Sequence, residues 1–111
     1  MHLILRSETG NLSDTIRDFK RFTSRNIMRD VTENDTESRK DWLNVVFKYH
    51  GKYNKRVDEK QFWTHENHAI ELVSNEMMDV KLNYIHENPV RAGWVEEPEH
   101  YLYSSARIML A

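Results

Sequence analysis

Apolar residues recur at helical spacing along much of the chain, and the first such stretch follows a residue that favours helix N-termini. Asn11 is that residue, and the apolar positions after it share one face at helical spacing: Leu12, Ile16, Phe19 and the later Ile27. This pattern predicts a helix over residues 12–29 that is capped by Asn11. The polar and acidic residues 30–37 then predict a connector.

Two further helices are predicted downstream. The second is marked by apolar and aromatic residues about one turn apart: Trp42, Val45, Val46 and Tyr49. It should end near Gly51, because glycine favours helix C-termini. Ser74 is the expected cap of the third helix, whose apolar stripe consists of Met78, Leu82 and Ile85. Since Pro89 disfavours helical angles at Asn88, this helix should finish there, with Gly93 in the following turn.

Short apolar runs between the helices predict strands. Residues 3–5 form a run of Leu and Ile that meets a turn at residues 7–10, and residues 61–63 and 69–72 are strand material around a polar bend. Residues 50–60 should form a charged loop, and the apolar tail after Gly93 should dock on the body through a short strand or helix. The pattern therefore predicts an α+β, helix-rich fold.

Length and composition favour a single small domain over residues 1–111. Hydrophobic residues make up 39% and charged residues 31% of the chain, which supports a packed core rather than disorder. The absence of cysteine excludes a disulfide framework, a thiolate zinc site and a cysteine nucleophile, and it is typical of a reducing cytoplasm. No apolar run approaches the ~18 residues that span a membrane. We therefore expect a soluble, cytoplasmic protein without a membrane partner.

Charge is segregated along the chain although the net charge is only −2. On the predicted first helix, four arginines recur every four residues with a lysine beside them: Arg17, Lys20, Arg21, Arg25 and Arg29. Such a stripe could follow a phosphate backbone, or it could be a solvated face that Asp14 and Asp18 partly neutralise. A second basic cluster comprises Lys52, Lys55, Arg56 and Lys60. Near it, Trp63, His65 and His68 could stack on unpaired bases, or Trp63 could pack in the core with both histidines exposed.

Tyr84 and Asn88 are the residues best placed for chemistry. They are four apart on the third helix and so share one side of it, whereas His86 lies about 200° away from Tyr84. A tyrosine hydroxyl is a weak nucleophile, so phosphoryl chemistry would need a cation, which the Asn88 amide oxygen could help to hold. Alternatively, Tyr84 is an ordinary half-buried tyrosine and Asn88 a helix C-cap. His2, before residues 3–5, fits either a metal ligand or a solvent-facing residue.

Four stretches, in this order, match a family pattern. They are residues 1–6 (MHLILR), residues 14–24 (DTIRDFKRFTS), residues 61–63 (QFW), and residues 82–93 (LNYIHENPVRAG) with residues 103–106 (YSSA) after them. Together they resemble the REP-associated tyrosine transposases and their insertion-sequence relatives, which are single-tyrosine HUH transposases. The resemblance runs over essentially the whole chain, and its last pair of stretches is the most specific.

This resemblance implies a metal-dependent DNA strand transferase that acts in DNA transposition. Tyr84 would attack a phosphate of single-stranded DNA and form a 5′-phosphotyrosine, leaving a free 3′-hydroxyl that can later reverse the step. His2 and Asn88 would be ligands of Mg²⁺ or Mn²⁺, which neutralises charge on the phosphate. The DNA, a hairpin or a single strand, would contact the first helix through Arg17, Lys20, Arg21 and Arg25.

The chain also departs from the family pattern. The first metal-binding histidine of the family would lie two residues before His2, and the strands and helix that precede it in the family are absent. The resemblance thus implies an N-terminally truncated, partial ferredoxin-like domain, whose residues 3–5 would expose a strand edge and favour strand exchange in a homodimer. Cleavage would be impaired. The alternatives are a non-catalytic remnant that binds hairpin or single-stranded DNA, and a small helical protein–protein module.

Overall fold

A computed structural model describes residues 1–53 and 60–110. These residues form four α-helices, α1 (Leu12–Glu33), α2 (Lys40–Lys52), α3 (Asn75–Arg91) and α4 (Ala106–Met109), with a 3₁₀ turn at Pro98–His100. The chain divides into two compact units. The α1–α2 unit comprises Arg6–His68, and the α3–α4 unit comprises Met1–Leu5 and Ala69–Ala111. Most of the predicted charged loop, with Lys55 and Arg56, lies outside the described residues.

The predicted first helix is confirmed as α1, and it is longer than expected. The Asn11 side chain caps it by accepting a hydrogen bond from the backbone N–H of Asp14 at 3.3 Å. The helix continues to Glu33, and the backbone N–H of Asn34 closes it on the carbonyl of Asp30 at 3.0 Å. The first four residues of the predicted connector are therefore helical, because no glycine or proline interrupts the chain there.

Phe47 is the buried centre of the α1–α2 unit, with only 8% of its surface exposed. Its ring lies 5.6 Å from that of Phe62, and its backbone carbonyl accepts a hydrogen bond from the N–H of Gln61 at 2.9 Å. The indole N–H of Trp63 donates to the Thr23 hydroxyl of α1 at 2.8 Å. Residues 61–63 thus pack against both α1 and α2 through side-chain contacts and one backbone hydrogen bond. The predicted second helix, α2, is confirmed and includes the buried Gly51.

The predicted third helix is confirmed at its start and corrected at its end. Ser74 caps α3 by accepting a hydrogen bond from the N–H of Met77 at 3.1 Å. The helix passes through Pro89 to Arg91, so the prediction that it ends at Asn88 is wrong. A proline near the end of a helix costs one backbone hydrogen bond, and the C-terminal cap of α3 compensates for that loss.

That cap is a Schellman motif. Gly93 adopts the left-handed conformation with φ of 74°, as its predicted turn position requires. Its N–H donates to the carbonyl of Val90 at 2.9 Å, and the N–H of Trp94 donates to the carbonyl of Pro89 at 3.0 Å. These bonds satisfy carbonyls that the end of a helix otherwise leaves without partners.

The helix-rich character of the fold is confirmed, whereas the strand predictions are not confirmed within the described residues. Residues 3–5, 61–63 and 69–72 have no regular secondary structure. A run of three or four residues makes a strand only when a neighbouring strand pairs with it, and the described part of the chain contains none. The predicted docking of the tail is made by α4, in which Ala106 is buried. In the same described ranges, no helix has the length and apolarity to cross a bilayer.

Candidate active site at Tyr84 and candidate DNA-binding helix

Tyr84 lies in the middle of α3 with 44% of its surface exposed. The imidazole of His2 packs against its ring, with the two ring centres 5.7 Å apart and the planes perpendicular. Both residues belong to the α3–α4 unit, so residues 1–5 lie beside α3. The fold therefore brings together the predicted nucleophile and one of its two predicted metal ligands, which are far apart in the sequence.

Arg91 is a third member of this site that the sequence analysis did not identify. Its guanidinium lies over the Tyr84 ring, with Cζ 4.9 Å from the ring centre. Because α3 continues through Pro89, Arg91 follows Tyr84 by seven helical residues and returns to within about 20° of it around the helix axis. The seven-residue spacing was the available signal. It was missed because the helix was expected to end at Asn88.

Asn88 follows Tyr84 by one helical turn and is half-buried. Its backbone carbonyl accepts a hydrogen bond from the N–H of Ala92 at 3.0 Å, so it belongs to the body of the helix. Ala92 is the C-cap, and the alternative that Asn88 caps the helix is therefore wrong. No described residue forms a hydrogen bond with the Asn88 side-chain amide, which leaves its oxygen available as a ligand.

The predicted metal ligands supply two donors of different kinds, an imidazole nitrogen from His2 and an amide oxygen from Asn88. Within residues 1–53 and 60–110, no three His, Asp or Glu side chains are grouped so that they could hold a metal ion. A nitrogen and oxygen pair suits Mn²⁺, while Mg²⁺ prefers oxygen ligands and commonly keeps several waters. Two donors alone would leave most coordination positions of such an ion to water and phosphate oxygens.

His86 points away from this site, as its position on the helix predicted. Its Nε2 lies 2.9 Å from the hydroxyl of Ser105, the residue before α4. This hydrogen bond ties α3 to the C-terminal helix. His86 therefore has a structural partner and takes no part in the Tyr84 site.

The predicted DNA-binding residues of α1 fall into two pairs with different surroundings. Arg17 binds the carboxylates of Asp14 at 2.5 Å and Asp18 at 3.0 Å. The hydrogen bond that Arg17 donates to Asp18, together with the negative charges of Asp14 and Asp18, raises the pKa of Arg17, and the same hydrogen bond lowers the pKa of Asp18. The Lys20 ammonium donates to the carbonyl of Thr64 at 2.7 Å. Arg17 and Lys20 are thus already engaged within the unit.

Arg21 and Arg25 form the other pair. Both are exposed and one helical turn apart, so they share a face of α1. Among the residues that the structure describes, neither guanidinium has an ion-pair or hydrogen-bond partner, and Arg21 acts on Asp18 only through its charge. These two arginines are the cations of the predicted stripe that remain available to a phosphate backbone.

Residues 61–68 support the packing interpretation of Trp63. Its indole bonds Thr23, and its ring lies 5.0 Å from that of Phe62 at a nearly perpendicular angle. His65 and His68 are both exposed, and the Nε2 of His68 lies 3.5 Å from a carboxylate oxygen of Glu66. Trp63 is therefore a packing residue of the α1–α2 unit.

No protein-family model, curated protein or solved structure matches the chain.

Proposed function

We propose that the protein binds DNA and breaks and rejoins a single strand through Tyr84, as a transposase of the single-tyrosine HUH type acting in DNA transposition. The observation that carries this proposal is the contact between the His2 and Tyr84 rings. It supports the proposal because the two residues that the resemblance makes the nucleophile and a metal ligand lie side by side in one unit of the fold.

The reaction is a transesterification at phosphorus. The phenolic oxygen of Tyr84 forms a bond to the phosphorus of a phosphodiester, and the bond between that phosphorus and the 3′-oxygen of the preceding nucleotide breaks. The phenolic proton is balanced by the proton that the departing 3′-oxygen takes up. The products are a 5′-phosphotyrosine and a free 3′-hydroxyl, and attack by a 3′-hydroxyl reverses the step. The exchange is near balanced in energy because one phosphodiester replaces another.

His2 and Asn88 are the residues that would hold a Mg²⁺ or Mn²⁺ ion in this proposal. When bound, such an ion neutralises charge on the phosphate oxygens and favours attack at phosphorus. Tyr84 is already exposed on α3, so a single strand can reach its hydroxyl without a change in the helix.

The DNA-binding surface in this proposal is the exposed face of α1, with Arg21 and Arg25 as its main phosphate contacts. A hairpin stem or a single strand presents phosphates that exposed arginines can contact without distortion of the helix. Arg17 and Lys20 would contribute less, because each would first have to leave a partner within the unit.

We further propose that the helices are those of a partial ferredoxin-like HUH domain and that residues 3–5 become a strand when a second copy pairs with them. Leu3 and Leu5 are about half exposed, so their apolar surface is free to be covered in a homodimer.

The cleavage proposal is tested with a hairpin oligonucleotide that carries a single-stranded flank, incubated with the protein and Mn²⁺. We expect a covalent adduct that retains a 3′-end label, since the protein joins the 5′-phosphate, while a 5′-end label is released on a fragment with a 3′-hydroxyl. Tyr84→Phe should abolish the adduct. Tyr103→Phe is the matched control, because Tyr103 lies in the same unit and is 84% exposed. An adduct that survives Tyr84→Phe would refute the assignment of the nucleophile.

A second candidate, a non-catalytic protein that binds hairpin or single-stranded DNA, is favoured by the small donor set. His2 and Asn88 are only two donors, and no group of three acidic or histidine side chains supplements them in the described ranges. Binding to the same oligonucleotide without an adduct, at any Mn²⁺ concentration, would support this candidate. Failure to bind any hairpin or single strand would contradict both and would favour a protein–protein module.

A further inference from the structure

We infer that Arg91 is the phosphate-binding residue of the Tyr84 site and that its guanidinium binds the phosphodiester of a single DNA strand beside the Tyr84 hydroxyl. The inference rests on the proposed function, since it names the residue that holds the phosphate for the proposed nucleophile. It assigns to this site a protein cation in addition to the two predicted metal ligands.

The backbone of α3 places Arg91 on the face that the substrate must approach. Tyr84, Asn88 and Arg91 follow one another at spacings of four and three residues, so the three side chains lie within an arc of about 60° around the helix. The Arg91 Cζ is 4.9 Å from the centre of the Tyr84 ring. A guanidinium at this distance places its charge over the face of the Tyr84 ring.

No carboxylate among residues 1–53 and 60–110 neutralises the charge of Arg91. Glu87 lies four residues earlier on the same helix, a spacing at which acidic and basic side chains commonly pair. No such ion pair forms, and no other carboxylate in the described part of the chain lies within 4.0 Å of the Arg91 guanidinium. The guanidinium lies over the Tyr84 ring instead. It is therefore a positive charge beside the nucleophile with no anion bound to it.

The contact with the Tyr84 ring also orders the Arg91 guanidinium before a phosphate binds to it. A cation over an aromatic face is held there by the ring quadrupole, which reduces the entropy that ordering a long side chain would cost. The five N–H donors of a guanidinium lie in its plane, and a phosphate can accept two of them at once. Lysine would supply the charge without this paired geometry. Arg91 therefore has the chemistry of a phosphate clamp.

The test measures the binding of a fluorescein-labelled ten-residue oligo-dT to the full chain in EDTA over a series of salt concentrations. Loss of one phosphate contact on a single strand should reduce the slope of log K against log salt by about 0.7, which weakens binding about fivefold at 0.1 M salt. We expect this change for Arg91→Gln and a retained slope for Arg91→Lys. Arg107→Gln is the matched control, since Arg107 is exposed in the same unit and makes no ring contact. It should bind as the wild type does.

A second readout locates the phosphate. With ¹³C-labelled tyrosine, titration with the dinucleotide dTpdT should shift the Tyr84 ring resonances saturably in the wild type and in Arg107→Gln, but not in Arg91→Gln. If Arg91 only orients the Tyr84 ring, Arg91→Gln will shift those resonances in the free protein and leave both the salt slope and the dTpdT titration unchanged. That result would overturn the inference.

The inference and the proposed function fail separately. An adduct that forms in Arg91→Gln at the wild-type rate would overturn the role of Arg91 and leave Tyr84 as the nucleophile. Suppose instead that the wild type forms no adduct, while Arg91→Gln shows the reduced slope of log K against log salt and no dTpdT-induced shifts. That result would refute cleavage and support the phosphate site.

Discussion

Two pairs of basic residues on α1 should contribute unequally to DNA binding although they carry the same charge. We compare the double variant Arg21→Gln/Arg25→Gln with the double variant Arg17→Gln/Lys20→Gln. Each removes two positive charges, so the net charge of the protein falls equally in both. Any difference between them must therefore arise from the local surroundings of the four side chains.

The expected magnitude follows from the number of phosphates that each pair can contact. Arg21 and Arg25 have no ion pair or hydrogen bond with any described residue, so both can bind phosphates of a hairpin stem. Each contact on duplex DNA contributes about 0.9 to the slope of log K against log salt. Their loss should reduce the slope by about 1.8, which weakens binding roughly 60-fold at 0.1 M salt.

The control pair should behave differently because its charges are already engaged. Arg17 binds two carboxylates and Lys20 binds the carbonyl of Thr64. We expect the slope of log K against log salt to change by less than about 0.5, because only the long-range electrostatic potential around α1 is altered. Fluorescence anisotropy of a labelled hairpin over about 50–400 mM salt measures both variants. Equal slopes for the two variants would refute the argument, because binding would then depend on net charge alone.

Two further expectations concern the stability of each unit. Gly93→Ala should lower the free energy of unfolding by about 1 kcal/mol or more, because residue 93 has a φ of 74°, which alanine adopts only at an energetic cost. Thermal unfolding followed by circular dichroism measures this loss of stability. An unchanged unfolding midpoint would contradict the role of the C-terminal cap. For Glu37, the hydrogen bond from the backbone N–H of Arg39, aided by its side chain, lowers the pKa of the carboxyl. The stability that the ionised carboxylate contributes is therefore present at neutral pH and is lost as the pH falls through that lowered pKa. Denaturation midpoints of the wild type and Glu37→Gln should differ at neutral pH and converge once the pH is below that lowered pKa, and a constant difference across the range would contradict this assignment.

The sequence was a good guide to where the helices begin. Asn11 and Ser74 are both observed as side-chain caps, because capping depends on a residue and the three positions after it. It was a poorer guide to where helices end. The length of α1 depends on the absence of a stop signal, and the passage of α3 through Pro89 depends on the cap at Gly93, whose hydrogen bonds involve residues on both sides of the expected end.

The candidate site was predicted in part. Tyr84 and Asn88 share a face by helical spacing, and the family pattern anticipated His2 beside Tyr84, although periodicity could not place residues so distant in the chain. Arg91 was excluded by the wrong helix end, since beyond Asn88 no helical spacing was expected. The strands are not confirmed for a different reason, because pairing depends on partners that a short apolar run does not contain.

Pro89, which was expected to end α3, leaves a gap in the backbone hydrogen bonds of the helix between Tyr84 and Arg91. Pro89 has no N–H to donate to the carbonyl of Ile85, so one backbone hydrogen bond of the helix is missing between Tyr84 and Arg91. Helices bend most readily where such a backbone hydrogen bond is absent. The last turn, which bears Arg91, is therefore joined to the turn that bears Tyr84 by one backbone hydrogen bond fewer than in an uninterrupted helix. The contact between the Arg91 guanidinium and the Tyr84 ring spans this gap and so helps to keep the last turn in its orientation relative to Tyr84.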